Sequence, residues 1–455
     1  MRRRARVVVA AMVATGAVLL SACSGSTDQS AVTVTSNVTA GPNGSSAPGS
    51  AGPGRSATPG SSVAGSTSSP ARPGSSTAPA GSSNAPAGSS TAAGSSANPS
   101  TPLKPGAQPD GFVPTKLAPG QKAPQFIIIS FDGAGWHDKW TYWRGIQAKV
   151  PLHFTAFLSG TYMLSSATKL KYTGPGHSAG KSSIGWNDPA ELPIQIADLN
   201  EAISRGDEIG THANGHFCAG ADPSGNVWNQ ADWNNELDQF FSLVKNVDAN
   251  NGITQKLNLP ASEVKGIRTP CLEGKKEALF PALKAHGLTY DSSFTRRGIS
   301  WPTQSSDNKI WQFGMAEFPI NGRLPDGSPV DPSKRDQHYQ ITMDYNFYYS
   351  QRGASSKGVS PEQSKADSLQ VLNTYRDMYR ATSTGNRAPL ILGNHFNEWN
   401  NNAYSDAIAN FALETCGKPD TLCLPFRDVI AWMNVQDPAR LAQLQAQAPA
   451  LTPGT

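Results

Sequence analysis

Charge is scarce in this sequence, and what there is balances. Only 16% of the 455 residues are Asp, Glu, Lys or Arg, against about a quarter in an ordinary soluble domain. The formal net charge of +4 equals the four arginines at the very start, Arg2, Arg3, Arg4 and Arg6, and the rest of the chain is neutral. A neutral chain has no electrostatic footprint for nucleic acid or for an anionic membrane surface. Long apolar runs are missing too: Val7 to Leu20 is too short to span a bilayer as a helix. Cysteine is sparse, with five in all, and the spacings make no zinc ribbon. A phosphate-binding loop is also lacking. Gly174 to Ser182 imitates one, but Pro175 stands where the pattern needs glycine.

What is there begins with a leader. Arginines, a short apolar core and small residues after it describe an export signal over residues 1–22. Leu20-Ser21-Ala22-Cys23 resembles the bacterial lipoprotein signal, which implies lipidation of Cys23 and anchorage to the outer face of the membrane. From Cys23 to Ala123 the sequence is Gly, Ser, Pro, Ala and Thr with few charges or aromatics. Such a segment buries too little apolar surface to offset its ordering entropy, so a disordered tether is expected. With Cys23 lipidated, Cys218, Cys271, Cys416 and Cys423 remain. An even number in an exported protein points to two disulfides. Three pairings are possible; Cys416 with Cys423 is the local choice, leaving Cys218 with Cys271.

Composition shifts at Pro124, and a globular domain is expected over 124–438 with a C-terminal tail over 439–455. Gln125 to Phe131 is a continuous apolar run, as in a strand buried on both faces. Further strands are expected at 154–160, 207–210, 264–268, 288–291, 316–320 and 389–393. Helices are expected at 194–205, 230–249, 275–286 and 362–380, and near Tyr404 and Arg427. The stripe Leu237, Phe240, Phe241, Val244, Val247 reads as core. The span from Arg296 to Ser360 shows little regular pattern. Strands alternating with helices argue for a parallel sheet or barrel, with chemistry where strands end.

Two of only eight histidines, His212 and His216, stand four residues apart. One helical turn between them would point both imidazoles the same way, a spacing that suits one divalent metal. Beside them at expected strand ends come Asp132, Arg268, Asp291 and His395, a set able to build a metal-assisted hydrolytic site.

In order, five motifs carry a resemblance. They are Ser130-Phe131-Asp132-Gly133, the run Arg205 to His216, Arg268-Thr269-Pro270-Cys271, Tyr290-Asp291-Ser292-Ser293 and Leu392-Gly393-Asn394-His395. The chain resembles the polysaccharide deacetylases of the NodB-homology type, carbohydrate esterase family 4, and within them the chitin-deacetylase-like branch. The resemblance implies an α/β fold, a distorted (β/α) barrel. It implies removal of N-acetyl groups from an extracellular N-acetylated amino-sugar polymer, peptidoglycan or a chitin-like glycan, with the glycan as partner. His212 and His216 would bind the divalent metal, with zinc expected. Asp132 would act as base oriented by Arg268, and His395 as acid tuned by Asp291. Leu392 would line the acetyl pocket, and the Cys271 N–H would hold the oxyanion. Trp136, Trp140, Trp143 and Trp399 offer surfaces for sugar rings. Two departures stand out. Gly133 replaces the second aspartate of the first motif, the usual metal ligand, which leaves the metal to two histidines plus water, to Asp132, or to a carboxylate from elsewhere such as Asp138; a catalytically weak or inactive glycan-binding lipoprotein is the alternative. Cys271 replaces an aromatic residue, which a bond to Cys218 would explain by tying two loops of the site. Nothing in the sequence assigns an oligomeric state.

Overall fold

The apolar run that opens the globular part forms strand β1 (Gln125–Gly133), buried except at its last residue. This computed structural model describes residues 112–321, 328, 331 and 338–452. The leader, Cys23 and the tether up to residue 111 lie outside the described residues. Around β1 the remaining strands follow as β2 (Thr155–Leu158), β3 (Glu208–Thr211), β4 (Gly266–Ile267), β5 (Tyr290–Asp291), β6 (Thr295–Arg297), β7 (Thr303–Gln304), β8 (Trp311–Gln312), β9 (Met315–Pro319), β10 (Tyr339–Ile341), β11 (Leu390–His395) and β12 (Thr421–Cys423). The helices are α1 (His137–Gln147), α2 (Leu192–Arg205), α3 (Gln230–Lys245), α4 (Val247–Asn251), α5 (Lys276–Ala285), α6 (Asp344–Arg352), α7 (Pro361–Ser383), α8 (Trp399–Thr415), α9 (Phe426–Asn434) and α10 (Pro438–Gln445).

The main sheet runs β11-β1-β2-β3-β4-β5-β8-β7, with β12 paired to the start of β1. Every pair but β7/β8 is parallel. This is a mixed α/β fold on a curled sheet, open between β11 and β7. The expected barrel is therefore a partial one. A second sheet, β10-β9-β6, completes the strands.

Register is what gathers the site. Asp132 pairs with His395 across β1 and β11, Leu158 with Thr211, Thr211 with Ile267, and Ile267 with Asp291. The residues that follow these pairs leave the sheet at one level, as in parallel folds generally. Below them Trp140 and Trp143 of α1 pack on Phe131, Phe154 and Phe396. Truncating any of these buried aromatics would cost about 3–5 kcal/mol.

The packed body reaches past both ends of the 124–438 span. Gln436 accepts from the Leu117 N–H and donates to the Thr115 carbonyl. Helix α10 buries Leu444, and Ala450 bridges to Ile299. Helix α1 carries little local sequence signal, because it starts without a side-chain cap and its wet face is strongly polar. Helix α6 lies inside the span read as irregular. It buries only Asp344, Phe347 and Tyr348, too little apolar periodicity to register. Both cysteine pairs are bonded as the local choice implied: Cys218–Cys271 and Cys416–Cys423.

Candidate active site

At the ends of the parallel strands opens a cleft of about 2090 Å³, lined among others by Asp132, His212, His216, Cys271 and His395. Asp132 and Arg268 are buried at its floor. Arg268 Nη1 donates to Asp132 Oδ1 at 3.0 Å and to Ser130 Oγ at 3.0 Å. Its other nitrogens donate to the Ser292 carbonyl and hydroxyl, both at 3.0 Å. The guanidinium also lies 4.8 Å from the Phe157 ring centroid. A cation so fully engaged cannot swing away, and it fixes the carboxylate it touches. Burial pushes the Asp132 carboxyl up, but Arg268, His212 and His395 outweigh it and hold the group below its ordinary value.

His212 and His216 do come together, with ring centroids 5.1 Å apart, but no helical turn joins them. The segment is a loop with left-handed backbone at Ala213 (φ 53) and His216 (φ 52). Such residues cost on the order of 1–3 kcal/mol each and persist only where the surroundings impose them. Here Glu236 Oε1 accepts from the Asn214 N–H at 2.8 Å, and Tyr172 Oη accepts from the Gly215 N–H at 3.1 Å. Ser183 N–H and the Ser182 hydroxyl donate to the Gly215 carbonyl, so the false phosphate loop is a brace. The Cys218–Cys271 bond ties the same loop to the turn after Arg268.

His212 Nδ1 lies 2.7 Å from the Arg268 carbonyl. A carbonyl only accepts, so Nδ1 carries the proton and Nε2 keeps its lone pair. Burial lowers the affinity of His212 for a second proton. Burial, with His212 and His395 nearby, takes His216 down to about 3. Two neutral imidazoles, one with its tautomer fixed by a backbone acceptor, are donors that suit zinc. The carboxylate is less complete. Gly133 has φ +93, and a Cβ there would meet only Tyr162 Cε2 at 3.7 Å. There is room for a side chain, but in a backbone that L-residues rarely adopt. Asp138, exposed in the first turn of α1, lines the same cleft. Among the described residues, the His/Cys/Asp/Glu group whose ligand atoms all lie within 4.8 Å of one another is His216, Cys218 and Cys271. Its cysteines are spent in a disulfide and offer no thiolate. The two imidazoles are donors suited to a divalent metal, and the Asp132 charge acts on both rings, though these three residues are not gathered within 4.8 Å of one another.

His395 ends β11, and the carboxylate against it is Asp344 of α6, not Asp291. Nδ1 lies 2.8 Å from Asp344 Oδ1, while Oδ2 accepts from the His395 N–H and from Asn397 Nδ2, both at 2.7 Å. Burial works to lower His395, but Asp344 and Asp132 overcome it, and its affinity for a proton is raised. Asp291 instead bonds the Ser293 N–H at 3.1 Å, and burial pushes it up to about 6. It braces the strand end that holds Arg268. Asp344 has no signature in the sequence, since it sits in no motif and at the start of a helix with a weak pattern.

The Cys271 backbone is left-handed (φ 54) and faces the cleft. Its N–H donates no hydrogen bond among the described residues, which leaves it available to an oxyanion. Leu392 is fully buried in β11 opposite Ile129 and is not among the residues lining the cleft; Phe396 is. Of the tryptophans, Trp140 and Trp143 are core. Trp136 is 54% exposed and lies 5.5 Å from the Tyr162 ring. Trp399 stacks on Tyr348 and lies 5.2 Å from the His395 ring.

No family model matches the sequence, and a search of curated proteins finds no match. Among solved structures, the chain is similar to a protein of Mycobacterium smegmatis assigned as a polysaccharide deacetylase, at 14% identity over 75% of this chain and 99% of that one, with TM-score 0.41. It is similar to a family 4 carbohydrate esterase of Streptomyces lividans, solved with acetate, at 11% identity over 66% and 92%, TM-score 0.31. It is also similar to the chitin deacetylase of the fungal pathogen Colletotrichum lindemuthianum, at 12% identity over 72% and 90%, TM-score 0.33.

Proposed function

We propose that this protein is a metal-dependent hydrolase that removes N-acetyl groups from an amino-sugar polymer outside the cell membrane. The observation that carries the reading is the meeting of four groups at the floor of one cleft. Asp132 is held by Arg268, His395 is held by Asp344, and two neutral imidazoles stand beside them. A base, an acid and a pair of nitrogen ligands are what amide hydrolysis needs.

His212 and His216 would hold a divalent ion, zinc in the first instance, with Asp132 as the neighbouring carboxylate. When bound, such an ion supplies a Lewis acid for the acetyl carbonyl and acidifies water. Asp132 accepts a proton from the attacking water while Arg268 keeps its carboxylate aimed. The Cys271 N–H donates to the oxygen as the carbonyl becomes tetrahedral. His395 then delivers its proton to the departing nitrogen. The C–N bond breaks, a C–O bond has formed, and acetate leaves a free amine on the sugar. Lipidation of Cys23 and the tether behind it would keep the domain within reach of a wall glycan.

One observation favours a second reading, a catalytically weak glycan-binding lipoprotein: position 133 carries no carboxylate. The two part on one experiment. The purified protein is assayed for bound metal and for acetate released from N-acetylglucosamine oligomers and peptidoglycan, beside His212→Ala and Gly133→Asp. Metal near one equivalent, acetate release, and loss of both in His212→Ala are expected. Gly133→Asp should raise metal affinity about tenfold, net of about 1 kcal/mol of backbone strain. Absence of both metal and acetate would leave the binding reading standing.

A further inference from the structure

The wall of the cleft beyond Ser292 carries two cations, Lys276 and Arg296, that make no contact ion pair among the described residues. Lys276 opens α5, directly after Lys275. Its ammonium lies 4.3 Å from the Phe294 ring centroid, and the Arg296 guanidinium lies 5.3 Å from the same ring. Lysine and arginine thus flank one buried aromatic, and all of them line the cleft. Neither forms an ion pair among the described residues. Lys276 donates to the neutral Gln312 Oε1 at 2.8 Å, and Arg296 has only a 3.5 Å contact with Thr303 Oγ1. Three acids stand nearby without contact ion pairs to either cation: Asp291 and Glu277, whose charges reach Lys276 from beyond contact, and Glu317 on the same cleft wall. Asp291 bonds the Ser293 N–H, Glu317 accepts from the Thr295 hydroxyl at 2.7 Å, and Glu277 is exposed. The arrangement is built, not incidental. Gly314 makes space for it, since a Cβ there would lie 2.8 Å from both Arg296 Cγ and Phe294 Cε2.

Two half-buried like charges on one ring repel each other, and the lysine also stands where the helix end is itself positive. A bound anion relieves both costs at once. From this we infer that the Lys276–Phe294–Arg296 wall is a subsite for an anionic group on the glycan, so that the substrate is an acidic amino-sugar polymer. Phe294 would meet the apolar face of the sugar ring, and the two cations would take its carboxylate. The inference rests on the deacetylase reading for the neighbouring acetamido sugar, but its test does not.

Binding is measured by calorimetry on the full chain with three oligosaccharides of equal length. One is neutral (N-acetylglucosamine only), one alternates N-acetylglucosamine with a uronic acid, and one contains muramic acid. At least one acidic oligomer should bind about tenfold tighter than the neutral one at low ionic strength. Which of them does so identifies the source of the carboxylate. The preference should shrink in about 0.5 M salt. It should vanish in the double variant Lys276→Gln/Arg296→Gln, whose thermal melt reports whether it folds, and reverse in Lys276→Glu. Equal binding of all three, binding of none, or a preference that survives in a folded double variant would overturn the inference. Neutral oligomer deacetylated without any acidic preference would sink it and leave the proposed function intact. Selective binding of an acidic oligomer with no acetate released would do the opposite.

Discussion

Two histidines of this cleft anchor the same ring nitrogen to different partners. His212 Nδ1 meets a backbone carbonyl, whereas His395 Nδ1 meets the buried carboxylate of Asp344. Both rings are buried deeply enough for desolvation to disfavour the imidazolium. At His212 a neutral acceptor cannot offset that, and the ring stays neutral with its lone pair on Nε2. At His395 the carboxylate more than offsets it. One residue type is thus made a ligand on one side of the cleft and a proton donor on the other. The choice is made by what stands behind the ring.

The sharpest way to break this contrast is to remove the charge behind His395. In Asp344→Asn the ring loses its counter-ion. One amide edge also faces donors from the His395 N–H or Asn397 Nδ2, so a stability loss of about 1–3 kcal/mol accompanies the change. Acetate release should fall on the order of 10²–10⁴-fold. The sign of the pH effect follows from the raised proton affinity of His395. A general acid works while protonated, so activity is lost as pH rises through its pKa. Without Asp344 that loss begins at lower pH. A kcat/KM profile from about pH 5 to 9 reads it, and an unmoved alkaline limb would remove Asp344 from the mechanism.

Asp344 also marks the limit of what the sequence discloses. Asp132, Arg268 and His395 were legible because each follows a strand whose apolar run is plain, and parallel register brings strand ends together. The His212–His216 pair was legible as a pair but not in its geometry. Its rings converge through two left-handed residues held by Glu236, Tyr172 and a distant serine pair, contacts that span up to 43 residues and have no local signature. Asp291 occupies the motif position expected to tune His395, yet its strand end faces Lys276 and Arg268. The carboxylate that does the tuning comes from a helix whose nine residues bury only three side chains. Leu392 shows the converse: a motif match that packing makes core.

A milder test loosens the ligand side alone. The Cys218–Cys271 bond closes 53 residues of chain around the His216 loop, against 7 for Cys416–Cys423. Replacing both cysteines of the longer bridge by serine should lower stability by about 2–4 kcal/mol, and the shorter pair should cost less. Bound metal should weaken in the first variant, while the alkaline limb of whatever activity survives stays where it was. A thermal melt beside a metal titration checks both, and a shifted limb would show that the two sides of the cleft are not independent.

The smallest effect concerns Glu236, which holds the loop from below. Both its carboxylate oxygens receive the Tyr172 hydroxyl, and Oε1 also receives the Asn214 N–H. Burial outweighs these bonds and pushes the carboxyl up to about 7. A folded-state pKa above the unfolded one means that the folded protein holds the proton more tightly. The stability so gained is complete below the unfolded value near 4.5 and is lost as pH rises through about 7. At 1.36 kcal/mol per unit the swing has a ceiling of about 3 kcal/mol, and about 2 is a reasonable size. Glu236→Gln keeps the shape without the proton, so it should be the more stable protein at pH 8 and should flatten the decline between pH 5 and 8. Urea midpoints at several pH values measure this. Parallel curves for the two proteins would mean that Glu236 is ionised in the folded state, and that the loop beneath His212 rests on a buried charge and not on a buried acid.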